Sequence, residues 1–380
     1  MNDKKEKNKF GKVIGIIVYI VIYFAFGIVT GYLLVKNDIS RMYPGNNVYV
    51  WILCQLVIIY LCIFLHIIIH EAGHMMFGLL TGYRFLSFRI MNFIWIKDNG
   101  KIKLKKYHLV GTSGQCLMSP PDMKDGNMPF VLYYLGGSIA NFFSAIIFAG
   151  LFVFCRNIPI VLALLICMSV IGIVLGLSNA IPLKFGMVNN DGYNTIVLMK
   201  SKRALAALWI QLKIAEETAR GVRIKDMPEE WFYLPDDYDM DNSFIVAKAV
   251  CYESYLMDKH EFDKVKDLAD KLLNMKSEMI GVHRNLLICD RIYCELISGG
   301  NRNIIDSLYS TALIKFMKQM KNFPSIIRTN YAIALLYNND KSEAEQIKEQ
   351  FRESANTYPY ISDIESEQEL MMIAEKNLIM

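Results

Sequence analysis

Four long apolar runs occupy most of the first half of the chain, at residues 13–35, 48–80, 130–155 and 158–181. A helix needs about 20 apolar residues to cross the hydrocarbon core of a bilayer, and each run is at least that long. The first run is longer than the apolar region of a signal peptide, and no small-residue cleavage site follows it. The pattern therefore predicts four transmembrane helices, of which the first is an anchor.

Between the second and third runs the pattern changes from continuous to alternating. Residues 84–96 alternate roughly between apolar and polar, and Asp98-Asn99-Gly100 is a strong turn signal before KIKLKKYHL. This predicts a small cytoplasmic β-hairpin insertion at 84–110. Two interpretations are open: the hairpin shields the membrane domain, or its edge strand pairs with an unwound substrate.

The second half of the chain is polar and has the apolar spacing of amphipathic helices. Turn signals recur roughly every 40 residues, which is typical of stacked helix–turn–helix repeats. We predict a mostly α protein with three parts: a polytopic membrane domain at 1–200, a linker rich in Pro and Asp at 201–240, and a soluble all-α domain at 241–380. A degenerate tetratricopeptide (TPR-like) array and an irregular helical bundle both fit the last part.

The composition agrees with membrane insertion, since 53% of the residues are hydrophobic. The net charge of +4 is small and does not suggest a nucleic-acid binder. Lysine and arginine concentrate before the first run, between the second and third, and after the fourth. Because such residues stay on the cytoplasmic side, we predict a multi-pass protein of the cell membrane with both termini in the cytoplasm.

Cysteine and the isolated histidines suggest no metal site. The eight cysteines are scattered singly, without a C-x-x-C pair, which indicates neither a disulfide framework nor a cysteine zinc site. His108, His260 and His283 have no spacing that suggests metal binding.

The candidate chemistry lies at the end of the second run, in the sequence His70-Glu71-Ala72-Gly73-His74. Residues four apart on a helix share a face, so both imidazoles can meet one metal ion. Glu71 beside them can take a proton from a water that zinc activates at neutral pH. Polar residues are costly inside a membrane, so this motif is a functional candidate by its location alone.

A catalytic zinc site usually has three protein ligands, and the third is expected from another segment. Asp191-Gly192, after the fourth run, offers a carboxylate at the depth where the second run ends. His66 shares the face of His70 and His74, but about 12 Å of helix rise separates it from His74. We therefore predict a pore-lining or packing role for His66.

Asn141 is the remaining candidate. It follows a run of small residues in the third apolar segment, where helices can approach closely. Its amide could donate to a substrate carbonyl or a tetrahedral oxyanion, or it could simply cross-link helices.

These segments together resemble the site-2 protease family of intramembrane zinc metalloproteases, over roughly residues 50–200. The family pattern appears here as His70-Glu71-x-x-His74, Gly137-x-x-x-Asn141 and Asn179-x-x-Pro182 followed by Asp191-Gly192. The resemblance implies that His70, His74 and Asp191 bind one zinc ion, that Glu71 activates water and that Asn141 positions the substrate. Two features differ from the family: Ser138 stands where many members have proline, and more residues separate Pro182 from Asp191.

The resemblance also implies a substrate class, namely membrane-anchored regulators such as anti-sigma factors, signal-peptide remnants or peptide precursors. The expected partners are thus a membrane protein or peptide, the lipid bilayer and a cytoplasmic protein bound by the C-terminal domain. The alternative is an inactive membrane scaffold that presents the helical domain, although a scaffold has no use for Glu71. A metal-dependent transporter fits less well, because the four runs show no inverted repeat.

Overall fold

The computed structural model describes residues 2–37, 48–98, 100–155, 158–185 and 188–377. The chain is mostly helical, as predicted, and carries one small antiparallel sheet. It divides into two compact units. The first comprises Met1–Tyr83, Pro129–Phe185 and Asn189–Ile196, and the second comprises Arg84–Met128, Gly186–Val188 and Val197–Met380.

The first unit is built from long apolar helices. They are α1 (Asn2–Lys36), α2 (Val48–Leu80), α3 (Val131–Phe154) and α4 (Pro159–Ala180), followed by the start of α5 (Asp191–Met199). The first four are each long and apolar enough to cross a membrane, which confirms the four predicted spans at that level. Part of the charge pattern behind the predicted orientation, in residues 38–47 and 156–157, lies outside the described residues.

Small residues set the distance between these helices. A side chain at Gly73 of α2 would collide with the backbone of Gly136 on α3, and a side chain at Gly136 would in turn collide with Gly73. Because lipid offers no hydrophobic drive for helix association, such close backbone contact is a main source of packing in membranes. The segment Gly136-Gly137 therefore brings α3 directly against the His-Glu-x-x-His turn of α2.

The sheet of the second unit has four strands in the order β3-β2-β1-β4. They are β1 (Arg84–Ile90), β2 (Phe93–Asp98), β3 (Lys101–Lys106) and β4 (Gly114–Ser119). All neighbours are antiparallel, and Asp98 lies opposite Lys101 across the predicted turn, whose Asn99 lies outside the described residues. The sheet thus extends beyond the predicted range 84–110, because β4 pairs with β1.

The rest of the second unit is helical. Its helices are α6 (Lys202–Ala219), α7 (Ser243–Asp258), α8 (Phe262–Asn274), α9 (Gly281–Ile297), α10 (Arg302–Leu308), α11 (Thr311–Gln319), α12 (Pro324–Ala332), α13 (Lys341–Thr357) and α14 (Ile361–Asn377). Polar side chains begin several of them, as Ser201 does for α6 and Asp340 for α13. The segment predicted as a linker, 201–240, contains α6 and three short 3-10 turns.

Short two-residue strands complete the fold. Strands β5 (Lys184–Phe185) and β6 (Val188–Asn189) form a two-stranded sheet, which we call the β5–β6 excursion, between the end of α4 and the start of α5. They occupy the extra residues that separate Pro182 from Asp191 in the sequence.

Candidate metal centre

The histidines of the motif lie in the continuous helix α2 and project from one face of it. The Nε2 atoms of His70 and His74 are 3.1 Å apart, and the two rings meet edge to face with centroids 4.7 Å apart. Both side chains are buried, as is Glu71 between them. The four-residue spacing has therefore placed two nitrogen donors at one point, as helix geometry requires.

Asp191, the first residue of α5, joins the two histidines. Its Oδ2 atom lies 3.1 Å from His70 Nε2 and 3.4 Å from His74 Nε2. Together the three residues form a group whose ligand atoms all lie within 4.8 Å of one another and could hold a metal ion. We call this group the donor triangle.

The carboxylate of the donor triangle is held in the form that binds a cation. Burial would raise the pKa of the Asp191 carboxyl, but its contacts with His74 and His70 hold that pKa well below its usual range. An ionised carboxylate and imidazole nitrogens are both good ligands for divalent metals.

Asn190 determines where Asp191 lies. Its side chain makes four hydrogen bonds: the amide nitrogen donates to the carbonyls of Ser178 (2.9 Å) and Ile181 (2.6 Å), and the amide oxygen accepts from the backbone N–H groups of Leu183 (3.1 Å) and Tyr193 (2.9 Å). We call these four bonds the Asn190 clasp. The bond from Tyr193 is a helix N-cap, so one side chain starts α5 and ties it to the end of α4.

Gly192 allows α5 to begin so close to α4. A side chain at this position would collide with the carbonyl of Ala180. Each residue of the Asp-Gly pair therefore has its own role: Asp191 supplies the carboxylate, and Gly192 allows the backbone that carries it to approach α4 closely.

His74 is oriented by the backbone of α3. Its Nδ1 atom lies 2.7 Å from the carbonyl oxygen of Tyr133. A carbonyl can only accept, so Nδ1 carries the proton and Nε2 keeps a lone pair directed into the donor triangle. Metal-binding histidines commonly use a carbonyl partner in this way.

Asn141 lies in α3 with no exposed surface, and its amide reaches two histidines of α2. The amide oxygen is 3.2 Å from His66 Nδ1, and the amide nitrogen is 3.3 Å from His70 Nδ1. Both ends of the amide thus contact a neighbouring helix.

The isolated histidines and cysteines lie apart from the donor triangle. His108 contacts Asn92, and His260 lies 3.5 Å from Glu369, all within the second unit. All eight cysteines are free, and the described residues offer no second group of this kind.

Sequence reasoning missed two parts of the site. An asparagine directly before a predicted helix is an N-cap signal, so Asn190 could have been found from its position before Asp191-Gly192. The Tyr133 carbonyl gives no signal in the sequence, because every residue carries one.

Comparison with known proteins leaves the family open. No family model, no curated protein and no solved structure matches this chain. The resemblance noted above therefore rests on the three motifs alone.

Proposed function

We propose that this chain is an intramembrane zinc metalloprotease that hydrolyses peptide bonds within or next to transmembrane segments. The observation that carries the proposal is the donor triangle, which lies directly beside a buried glutamate in a helix able to cross a membrane. This is the combination that metal-assisted hydrolysis requires: two neutral nitrogen ligands, one carboxylate ligand and one further carboxylate to move protons.

The spacing of the donors is compatible with zinc. Ligands about 2.0–2.1 Å from a tetrahedral zinc ion are about 3.3 Å apart. The edges of the donor triangle measure 3.1, 3.1 and 3.4 Å. A zinc ion bound there would supply Lewis-acid chemistry, which activates water at neutral pH and polarises a peptide carbonyl.

Glu71 is proposed to be the general base. It directly follows His70 in α2, and its side chain is buried. It would take the proton from the attacking water and then deliver it to the leaving amine. His70, His74 and Asp191 would hold the ion, and His74 is already oriented for this by Tyr133.

The substrate class, location and partners follow from the resemblance and the charge pattern. We propose membrane-anchored regulators, signal-peptide remnants or peptide precursors as substrates, and a cell-membrane location with both termini in the cytoplasm. The helical part of the second unit would be a TPR-like domain that binds a cytoplasmic protein. The β-hairpin insertion would either shield the membrane domain or pair with the unwound substrate.

The zinc content of the purified full-length protein tests the site. In mild detergent we expect about one zinc per wild-type chain and a strong loss in His70→Ala and Asp191→Ala. The matched control is His108→Ala in the second unit, which should keep its zinc. A folded wild type without zinc would overturn the proposal, and loss in His70→Ala alone would remove Asp191 from the ligand set.

Glu71→Gln separates a protease from an inactive scaffold. We expect it to keep zinc and expression but to slow proteolysis by about 10²–10⁴-fold, the usual contribution of a general base. The measurement is the set of membrane-protein fragments that wild type produces in cells and Glu71→Gln does not, with the exposed Glu345→Gln as control. Equal fragments and equal biological output from all three chains would favour the scaffold.

A further inference from the structure

His66 lies one helical turn before His70 and has no exposed surface. Its Nε2 atom is 2.7 Å from the carbonyl oxygen of Met168 on α4, and its Nδ1 atom is 3.2 Å from the amide of Asn141 on α3. The donor triangle does not include it. It therefore joins three helices, and its two polar contacts continue through Asn141 to His70.

The contact with Met168 fixes the proton of His66. A backbone carbonyl can only accept, so Nε2 of His66 must donate. Within the described residues no carboxylate forms an ion pair with His66, and a charged imidazole without a partner is costly to bury. His66 is therefore neutral, and its Nδ1 atom can only accept a hydrogen bond.

This requirement decides the orientation of Asn141 that suits the metal centre. An amide has a donor end and an acceptor end, and a half-turn exchanges them while keeping both contacts near 3.2–3.3 Å. With its nitrogen towards His66, the amide satisfies the accepting Nδ1 of that residue. Its oxygen then faces His70 and accepts from Nδ1–H.

The same orientation prepares His70 to bind a metal. With the proton on Nδ1, the lone pair of Nε2 is directed into the donor triangle. The opposite orientation makes Nδ1 of His70 an acceptor and moves the proton to Nε2, where it donates to Asp191 across 3.1 Å and occupies the metal position. One amide thus selects between a metal-binding and a metal-excluding form of His70.

The neighbouring helices are shaped around both rings. A Cβ atom at Gly172 of α4 would lie 2.6 Å from His66 Cε1, and one at Gly137 of α3 would lie 2.5 Å from the His70 ring. Each imidazole therefore packs against a glycine, and the absence of a side chain at that glycine makes room for the ring. This is the expected environment for a side chain whose orientation matters.

We propose that His66 is a positioning residue of the metal centre: it holds Asn141 with its oxygen towards His70, which keeps the His70 proton on Nδ1 and leaves Nε2 free for the ion. In His74 the Tyr133 carbonyl holds the proton on Nδ1 directly, whereas in His70 two side chains, Asn141 and His66, do so. The proposal rests on the proposed zinc site and adds a residue that the family pattern does not contain.

Two substitutions separate polarity from packing. Glutamine at position 66 offers one acceptor and one donor end, as the neutral imidazole does, whereas methionine fills similar space without a donor. In full-length protein in detergent, zinc affinity is measured by competition with a chromophoric chelator. We expect His66→Met to bind zinc about 10–100-fold more weakly and His66→Gln to stay close to wild type.

Cys62→Ala is the matched control. Cys62 is fully buried, lies one turn before His66 and has no contact with the donor triangle, so this variant should bind zinc like wild type. If His66→Met and His66→Gln weaken zinc binding equally, the shape of His66 matters rather than its hydrogen bonds, and the proposal is overturned. Unchanged affinity in both would also overturn it, while a wild type without zinc would instead remove the proposed function.

A measurement on the wild type keeps the test independent of variant folding. Nitrogen-15 spectra of histidine-labelled, zinc-loaded protein show which ring nitrogen carries the proton, with His66→Gln to assign the signal. We expect a protonated Nε2 on His66 and a protonated Nδ1 on His70. A protonated Nδ1 on His66 would contradict the proposal.

Discussion

Buried acids occur in both units, but their partners differ. In the second unit the guanidinium of Arg328, 1% exposed, pairs with Asp290 and with Glu367 at 2.9 Å and stacks over the ring of Tyr293 at 4.5 Å. A second arginine, Arg223, joins further acids of the same unit. Arginine side chains thus pair with these acids.

In the first unit the Asp191 carboxylate lies against two histidines, His70 at 3.1 Å and His74 at 3.4 Å. Helices α2 to α5 carry Glu71 and Asp191 but no lysine or arginine. With His70 and His74, Asp191 forms a group that could hold a metal ion. The comparison teaches that carboxylates paired with arginine mark a structural network in one unit, whereas a carboxylate grouped with histidines could hold a metal ion in the other.

The largest effect is expected on folding stability, when Arg328 is removed from its ion pairs with Asp290 and Glu367. Arg328→Met leaves two buried carboxylates without their cation, which typically destabilises a protein by about 3–5 kcal/mol. Chemical unfolding of the full-length protein measures this, and zinc per chain should stay unchanged. Arg352→Met, which removes an ion pair exposed on both sides, is the control and should change stability by less than about 1 kcal/mol. A loss of zinc without loss of stability would contradict the comparison.

A smaller effect is expected at the ion site from one added methyl group. Gly137→Ala places its Cβ about 2.5 Å from the His70 ring, so the ring must move away from the other donors. We expect zinc to bind about 100-fold more weakly, measured by chelator competition. Gly150→Ala is on the same helix with no atom within 4 Å of the new carbon, and its zinc affinity should equal that of wild type.

The smallest effect concerns pH and the acids of the second unit. Burial and the charge of Glu367 raise the pKa of the Asp363 carboxyl to about 7. Below about pH 4 this carboxyl is protonated in both the folded and the unfolded chain, and its contribution to folding stability is then fully present. As the pH rises to about 7, the unfolded chain releases the proton more readily than the folded chain, so this contribution is lost. We expect the second unit to be about 1–2 kcal/mol less stable at pH 8 than at pH 4 through this group.

Asp363→Asn isolates that contribution. The variant should be more stable than wild type at pH 8 and similar to it near pH 4, as measured by chemical unfolding at both values. Equal pH dependence in the two chains would show that Asp363 is not the responsible group.

Much of the fold could be predicted from the sequence because its signals are local. The apolar runs directly predict α1 to α4, and the alternation after Arg84 predicts strands. Strand β4 was missed because its pairing with β1 joins residues about 30 positions apart, and no local pattern specifies such a partner.

The candidate site likewise divides into residues that local spacing predicts and residues that depend on long-range contacts. His70, Glu71 and His74 are neighbours along one helix, so spacing alone predicts their common face. Asp191 lies more than 100 residues further on, and only the resemblance connected it with them. The orientation of Asn141 and the role of its neighbours depend on contacts between three helices, which one sequence does not reveal.

The Asn190 clasp has a consequence for how much the chain can vary between Pro182 and Asp191. It bonds Leu183 on one side of the β5–β6 excursion and Tyr193 on the other, and both to the end of α4. Insertions or deletions between these anchor points would therefore change the length of this connection and leave the aspartate in place. A sequence search that demands a fixed gap before Asp-Gly would overlook chains of this kind, whereas one that accepts a variable gap closed by asparagine would find them.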